Sequence, residues 1–161
     1  MSTNTGAARI PIVDYLVIDD GEPYLVAHAS GRSGSLSFTR RNADPLSGEP
    51  GFTRRRLATT GTVKAFTVVQ RDAPGIEVPY ASVIVELDGG GVVRGRLVGT
   101  SRHPRNVASV HRVRLSTFVA GVDEQGTEAI AFAFEPDVGN EVVREVGHEV
   151  GHDAKDDNRD A

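Results

Sequence analysis

The sequence has no cysteine, no tryptophan, one methionine and only two lysines among its 161 residues. Without cysteine there can be no disulfide, no thiolate-held zinc, no iron–sulfur cluster and no thiol nucleophile. Any zinc would have to be held by His, Asp or Glu. No stretch approaches the ~20 apolar residues needed to cross a bilayer. Met1–Gly6 is polar and lacks the basic-then-apolar order of a secretory signal, so a soluble cytoplasmic protein is expected. At roughly 100–200 residues per domain, the length suits one domain, or one with a small satellite.

The charge that is present is unevenly placed. Residues 135–161 hold nine acidic and three basic side chains, whereas residues 1–134 hold thirteen acidic and fifteen basic. The tail from Gly151 has no apolar period and reads as disordered. In the body the cations are almost all arginine, in two groups. Arg32, Arg40, Arg41, Arg54, Arg55 and Arg56 form the first; Arg94, Arg96, Arg102, Arg105, Arg112 and Arg114 form the second, with no acidic residue between Gly89 and Val122. Solvated faces produce such groups, but arginine in preference to lysine also suits phosphate and carboxylate partners, which its planar fork binds bidentately.

The middle of the chain has the period of β-strands. Val63, Ala65, Thr67 and Val69 alternate with their neighbours, as do Ala81, Val83, Val85 and Leu87. Asp88-Gly89-Gly90-Gly91 then predicts a hairpin turn into Val92–Val98. Val113 and Leu115 face opposite to Arg112 and Arg114, and Thr127–Phe134 is a further short apolar run. About five strands result, with one long connection around Pro104 between the third and fourth. That pattern suits an all-β, five-stranded OB-fold barrel better than an immunoglobulin-type sandwich, which needs about seven strands. Ahead of it, Ile10–Ile18 and Tyr24–Ala29 read as strands joined by the turn Asp19–Pro23. Residues 30–56, rich in Gly, Ser, Arg and Pro, read on composition as a loop, and one so long inside a compact domain needs a reason.

A resemblance supplies one. Ser30-x-x-Ser33-Gly34, then Phe38 and the pair Arg40–Arg41, then Asp44-x-x-Ser47-Gly48 have the skeleton of a zinc ribbon. The segment resembles the ribbon of the acyl-CoA-associated OB-fold proteins that partner thiolases, whose pattern is two Cys-x-x-Cys-Gly knuckles. The likeness continues through Leu57–Val69, Pro79–Tyr80, Val85–Gly89, Gly95–Val98 and Phe134–Pro136, so it covers roughly residues 11–136. All four metal positions depart from the family: Ser30, Ser33, Asp44 and Ser47 replace the cysteines. Serine is a poor zinc ligand and one Asp cannot replace four thiolates, so the ribbon is expected to lack zinc and to be held by turns, hydrogen bonds and packing. A hard-metal site of Ser, Asp and His28 fits no preferred geometry.

The expected division is residues 1–56 for the strand and ribbon-like region, 57–136 for the barrel and 137–161 for an acidic tail. The resemblance implies a non-catalytic subunit in a hetero-oligomer with a thiolase-fold catalytic partner (thiolase, aldolase or acyltransferase). Acyl-CoA would be a shared substrate, with no tightly bound cofactor. On that reading Arg40, Arg41, Arg94 and Arg96 are candidates for the phosphates of coenzyme A, and Phe38 and Phe66 for its pantetheine or adenine. Arg54–Arg56 read instead as a solvated loop. As plainer readings, the two phenylalanines are core residues and the four arginines an exposed face or a partner contact.

Two signals point elsewhere. A stand-alone OB-fold binder would hold acyl-CoA or single-stranded nucleic acid. The latter needs stacking aromatics in a basic groove, and 6% aromatics with a net charge of -4 argue against it. His148-Glu-Val-Gly-His152 matches the His-Glu-x-x-His of zinc hydrolases. Gly147 and Gly151 weaken the required helix by about 1 kcal/mol each, and only nine residues follow to supply a third ligand. The valines at 142, 143, 146 and 150 have the spacing of a short docking helix instead.

Overall fold

A computed structural model describes residues 8–71 and 74–138. The expected terminal helix, the His148–His152 motif and the acidic tail lie outside the described residues. In chain order the elements are β1 (Arg9–Pro11), β2 (Leu16–Asp19), β3 (Glu22–Ser30), β4 (Leu36–Ser37), β5 (Phe52–Arg56), β6 (Thr60–Val69), β7 (Tyr80–Leu87), β8 (Val92–Leu97), α1 (Pro104–Ala108), β9 (Arg112–Val122) and β10 (Glu128–Pro136).

Five strands close a barrel in the order β6-β7-β8-β10-β9 and back to β6. All neighbours are antiparallel except β8 and β10. This is the OB-fold expected from the alternation. Its long third connection holds α1, which starts at Pro104, where a missing N–H does no harm. Val107 is the buried residue of that helix. The inward set Val83, Val85, Val113, Ile130 and Phe134 is fully buried. Gly95 faces Phe134, and a Cβ placed there would stand 2.8 Å from the ring. The barrel's largest fully buried side chain therefore occupies space that only glycine leaves open.

The seam between β6 and β9 pairs over only three residues of each strand, Thr60–Thr62 with Arg112–Arg114. It is stapled from the β7–β8 turn. Arg112 grips both oxygens of Asp88, at 2.9 and 2.7 Å, and Thr60 donates to Asp88 Oδ2 at 2.6 Å. Those bonds hold the Asp88 carboxyl well below the usual carboxylate range, the Arg112 bond being the largest cause.

The N-terminal segment differs from its expected form. Ile10–Ile18 divides into β1, which joins the barrel sheet parallel to β10, and β2, which pairs with β3. Residues 30–56 are not a plain loop. They contain β4 and β5, both antiparallel to β3, so Arg54–Arg56 sit on a strand. Composition hides β5, because four of its five residues are exposed and three are arginine. The other face of β3, Leu25 and Ala27, is fully buried and belongs to one core cluster with Leu16, Leu57 and the barrel valines. Arg55 adds a bond to the Gly89 carbonyl at 2.8 Å. β3 thus buries one face against the barrel, while β5 is exposed along most of its length.

Gly95→Ala is expected to destabilise the chain by about 2 kcal/mol through overpacking against Phe134. Urea unfolding of the full chain, followed by far-UV circular dichroism, measures this.

Candidate functional site

Two turns of one design flank the loop after β4. In the first, Gly34 N–H donates to the Ser30 carbonyl (3.1 Å) and Ser30 N–H to the Ser35 carbonyl (2.9 Å). In the second, Gly48 N–H donates to the Asp44 carbonyl (2.7 Å) and Asp44 N–H to the Glu49 carbonyl (2.9 Å). Gly34 and Gly48 have φ of 70° and 71°, a conformation glycine adopts without strain. Ser30, Ser33, Asp44 and Ser47 hold equivalent corners of the two turns and meet between them. Ser30 Oγ donates to Asp44 Oδ2 at 2.6 Å, Ser47 Oγ donates to it at 3.1 Å, and Ser33 Oγ makes a short bond to the same oxygen. Oδ1 accepts from Leu46 N–H at 2.9 Å and Ser35 Oγ at 3.2 Å. Asp44 is only 2% exposed, and Arg32 and Glu49 tie the two turns on the outside at 2.9 Å. The hydroxyl bonds of Ser30 and Ser33, then the Leu46 amide and Ser47, hold the Asp44 carboxyl well below the usual range against the opposing effect of burial.

The segment between the turns carries Arg40 and Arg41 to the outer face of the small sheet. There, His28 on β3 and Arg54 on β5 are register partners and share a face. These four residues line an open cleft of about 540 Å³ with Asn42, Pro50, Gly51 and Phe52. No carboxylate lines it. None of Arg40, Arg41 and Arg54 has an ion-pair partner among the described residues. An adjoining hollow of about 280 Å³ shares His28 and Arg54, and adds Asp14, Tyr15, Val26 and Phe38. The cleft offers guanidinium forks and an imidazole, groups that hold a phosphate or carboxylate. Its lining has no hydroxyl or thiol for nucleophilic chemistry.

The other candidates from the sequence lie elsewhere. Phe38 stacks at 4.8 Å on Tyr15 and lines the adjoining hollow. Phe66 is on β6, 40% exposed, and does not reach the cleft lining. Arg94 donates to Ser82 at 3.1 Å. Arg96 lies over the rings of Tyr80 and Phe118 and faces Glu77 at 3.8 Å. Of the remaining second group, Arg102 pairs with Glu77, Arg112 with Asp88 and Arg114 with Glu135. From the sequence, His28 reads only as a hard-metal ligand and Arg54 only as part of a solvated loop; the fold brings both to the cleft. No period marks Arg54, because residues 54–56 are three consecutive arginines and all are exposed.

Fold and site together define an OB-fold barrel that carries an N-terminal ribbon-like unit with a cationic outer face. Residues 54–126 match the family model of the ChsH2 C-terminal OB-fold domain. The matched stretch runs from β5 to the turn before β10, so most of the barrel is similar to that OB-fold domain. Among solved structures, one titled Ltp2-ChsH2(DUF35) aldolase is similar, with a TM-score of 0.57 and 24% identity; the match covers 71% of this chain and 86% of that one. At that identity the likeness speaks for the fold. No curated protein matches the chain.

The two turns have a defined acid response. The folded Asp44 carboxyl titrates below its unfolded value, so its contribution is complete above about pH 4 and is lost progressively as pH falls from there toward the lower folded-state value. Amide hydrogen-exchange protection of Gly34 and Gly48 is therefore expected to be full above about pH 4 and to fall progressively below it. Loss of protection already near pH 4–5 would contradict this.

Proposed function

We propose that this chain is a non-catalytic accessory subunit of a thiolase-type complex (thiolase, aldolase or acyltransferase), where it helps to hold an acyl-CoA and stabilises the catalytic partner. The observation that carries the reading is the cleft of Arg40, Arg41, Arg54 and His28 beside a barrel of the ChsH2 C-terminal type. Three guanidinium groups gathered without a carboxylate repel one another, and a polyanion relieves that repulsion. Coenzyme A presents a 3′-phosphate and a pyrophosphate, which suit bidentate arginine. The Tyr15–Phe38 pair beside the cleft offers ring faces to the adenine or an apolar side to the pantetheine. With no cysteine in the sequence, this reading requires a thiolase nucleophile to come from the partner. Arg94 and Arg96, which are engaged on the outer barrel surface, are assigned to a protein contact rather than to phosphate.

Affinity purification from the native lysate is expected to bring down a thiolase-fold subunit in stoichiometric amount. Elution as a stable monomer with no partner would overturn the accessory role. Arg41→Glu and Arg54→Glu, each removing a charge-assisted contact of about 1.5–3 kcal/mol, are expected to weaken CoA binding by the complex at least tenfold. Titration calorimetry at two salt concentrations measures this, and unchanged affinity in both variants would overturn the cleft assignment.

A further inference from the structure

The ribbon resemblance implies a tetrahedral zinc at the centre of the two turns, and the residues present do not fit one. Zinc takes thiolates or imidazoles that bring negative charge or a free lone pair to the cation. Here the four corners offer three neutral hydroxyls and one carboxylate, and the hydroxyls direct their protons inward to Asp44. Among the described residues no group of three or more His, Asp or Glu could hold a metal.

We infer that this ribbon has exchanged its central cation for an anion, with Asp44 Oδ2 at the convergence point and the serine hydroxyls as ligands of reversed polarity. Three observations carry this. First, three hydroxyls from both turns meet on a single oxygen, whereas a carboxylate hydrogen-bonding locally would be satisfied by its own turn. Second, each hydroxyl is itself polarised from behind. Ser30 Oγ accepts from Arg32 and Ser33 N–H, Ser33 Oγ from Ser35 N–H, and Ser47 Oγ from Glu49 N–H, at 3.2–3.4 Å. Backbone dipoles thus feed through the hydroxyls onto the charge, a chain that strengthens cooperatively. Third, no buried polar side-chain atom among the described residues is left without a partner, so the centre is complete without an ion. The inference does not rest on the acyl-CoA reading. It predicts a ribbon indifferent to metal and, since the chain lacks cysteine, to thiol oxidation.

The test uses the full chain, co-expressed with its partner if it is not stable alone. After exposure to equimolar zinc, calcium or magnesium and then desalting, the expected result is less than 0.1 equivalent of metal by mass spectrometry. The melting temperature should be the same with zinc and with chelator. Retention of one equivalent of any of these ions together with a raised melting temperature would overturn the proposal. Asp44→Asn replaces an oxygen acceptor by an amide donor facing the hydroxyl donors. Amide exchange at Gly34 and Gly48 should quicken at least tenfold, while β7 and β10 amides are unchanged. Wild-type protection at both glycines in this variant would overturn it. Should Asp44→Asn fail to fold, Ser33→Ala and Ser47→Ala, each deleting one donor, are read on the same amides. The expected change is smaller but in the same direction for the turn across the centre from the substitution, and no change in that far turn would overturn the proposal.

Discussion

A carboxylate taken out of water must either receive hydrogen bonds on every lone pair or give up its charge. The N-terminal unit is organised around meeting that demand at Asp44. Its two oxygens collect four serine hydroxyls and one backbone amide, drawn from segments fourteen residues apart at the extreme. The twin turns, the loop between them and the position of Arg40 and Arg41 on the outer face all follow from that gathering. The twin-turn segment after β3 has little apolar content of its own, Leu36 and Phe38 being its main contributions, and holds its shape through polar convergence rather than burial. The apolar side of β3 borrows from the barrel, through the shared core that runs from Leu25 and Ala27 to Val83 and Val85.

The arginines show how one residue type serves two ends. Arg96, Arg102, Arg112 and Arg114 are answered by acids that lie outside the acid-free stretch: Glu77, Asp88 and Glu135. They staple strands, and Arg112 closes the shortest seam of the barrel. Those pairs are exposed and individually weak, so their value is in register and closure. Arg40, Arg41 and Arg54 have no such answer among the described residues. The difference lies in where acids fall after folding, and it turns one group of cations into structure and the other into a site.

Much of the barrel was legible in the amino-acid order. Inward valines at every second position and three consecutive glycines after Asp88 give strands and hairpin by local physics alone, whereas the polar connection around Pro104 did not announce α1. The Gly34 and Gly48 positions of the twin turns were legible only through the family resemblance; the structure adds the reason, since left-handed backbone selects glycine. Less legible were β4 and β5, because an exposed arginine-rich strand has no apolar period to read and is held by pairing with β3.

What the sequence by itself determined is the alternation that makes an OB-fold and the absence of any thiolate, which excludes a cysteine-held zinc centre. Tertiary structure alone decided what replaced it. Asp44 becomes a centre only because two turns bring three hydroxyls to one of its oxygens, and His28 joins Arg54 only because β3 and β5 pair in that register. Hydrogen bonds and charge act over a few ångströms, whereas the groups they join stand up to twenty-six residues apart along the chain. Periodicity reports which face a residue takes, but only the folded distance reports which residues meet.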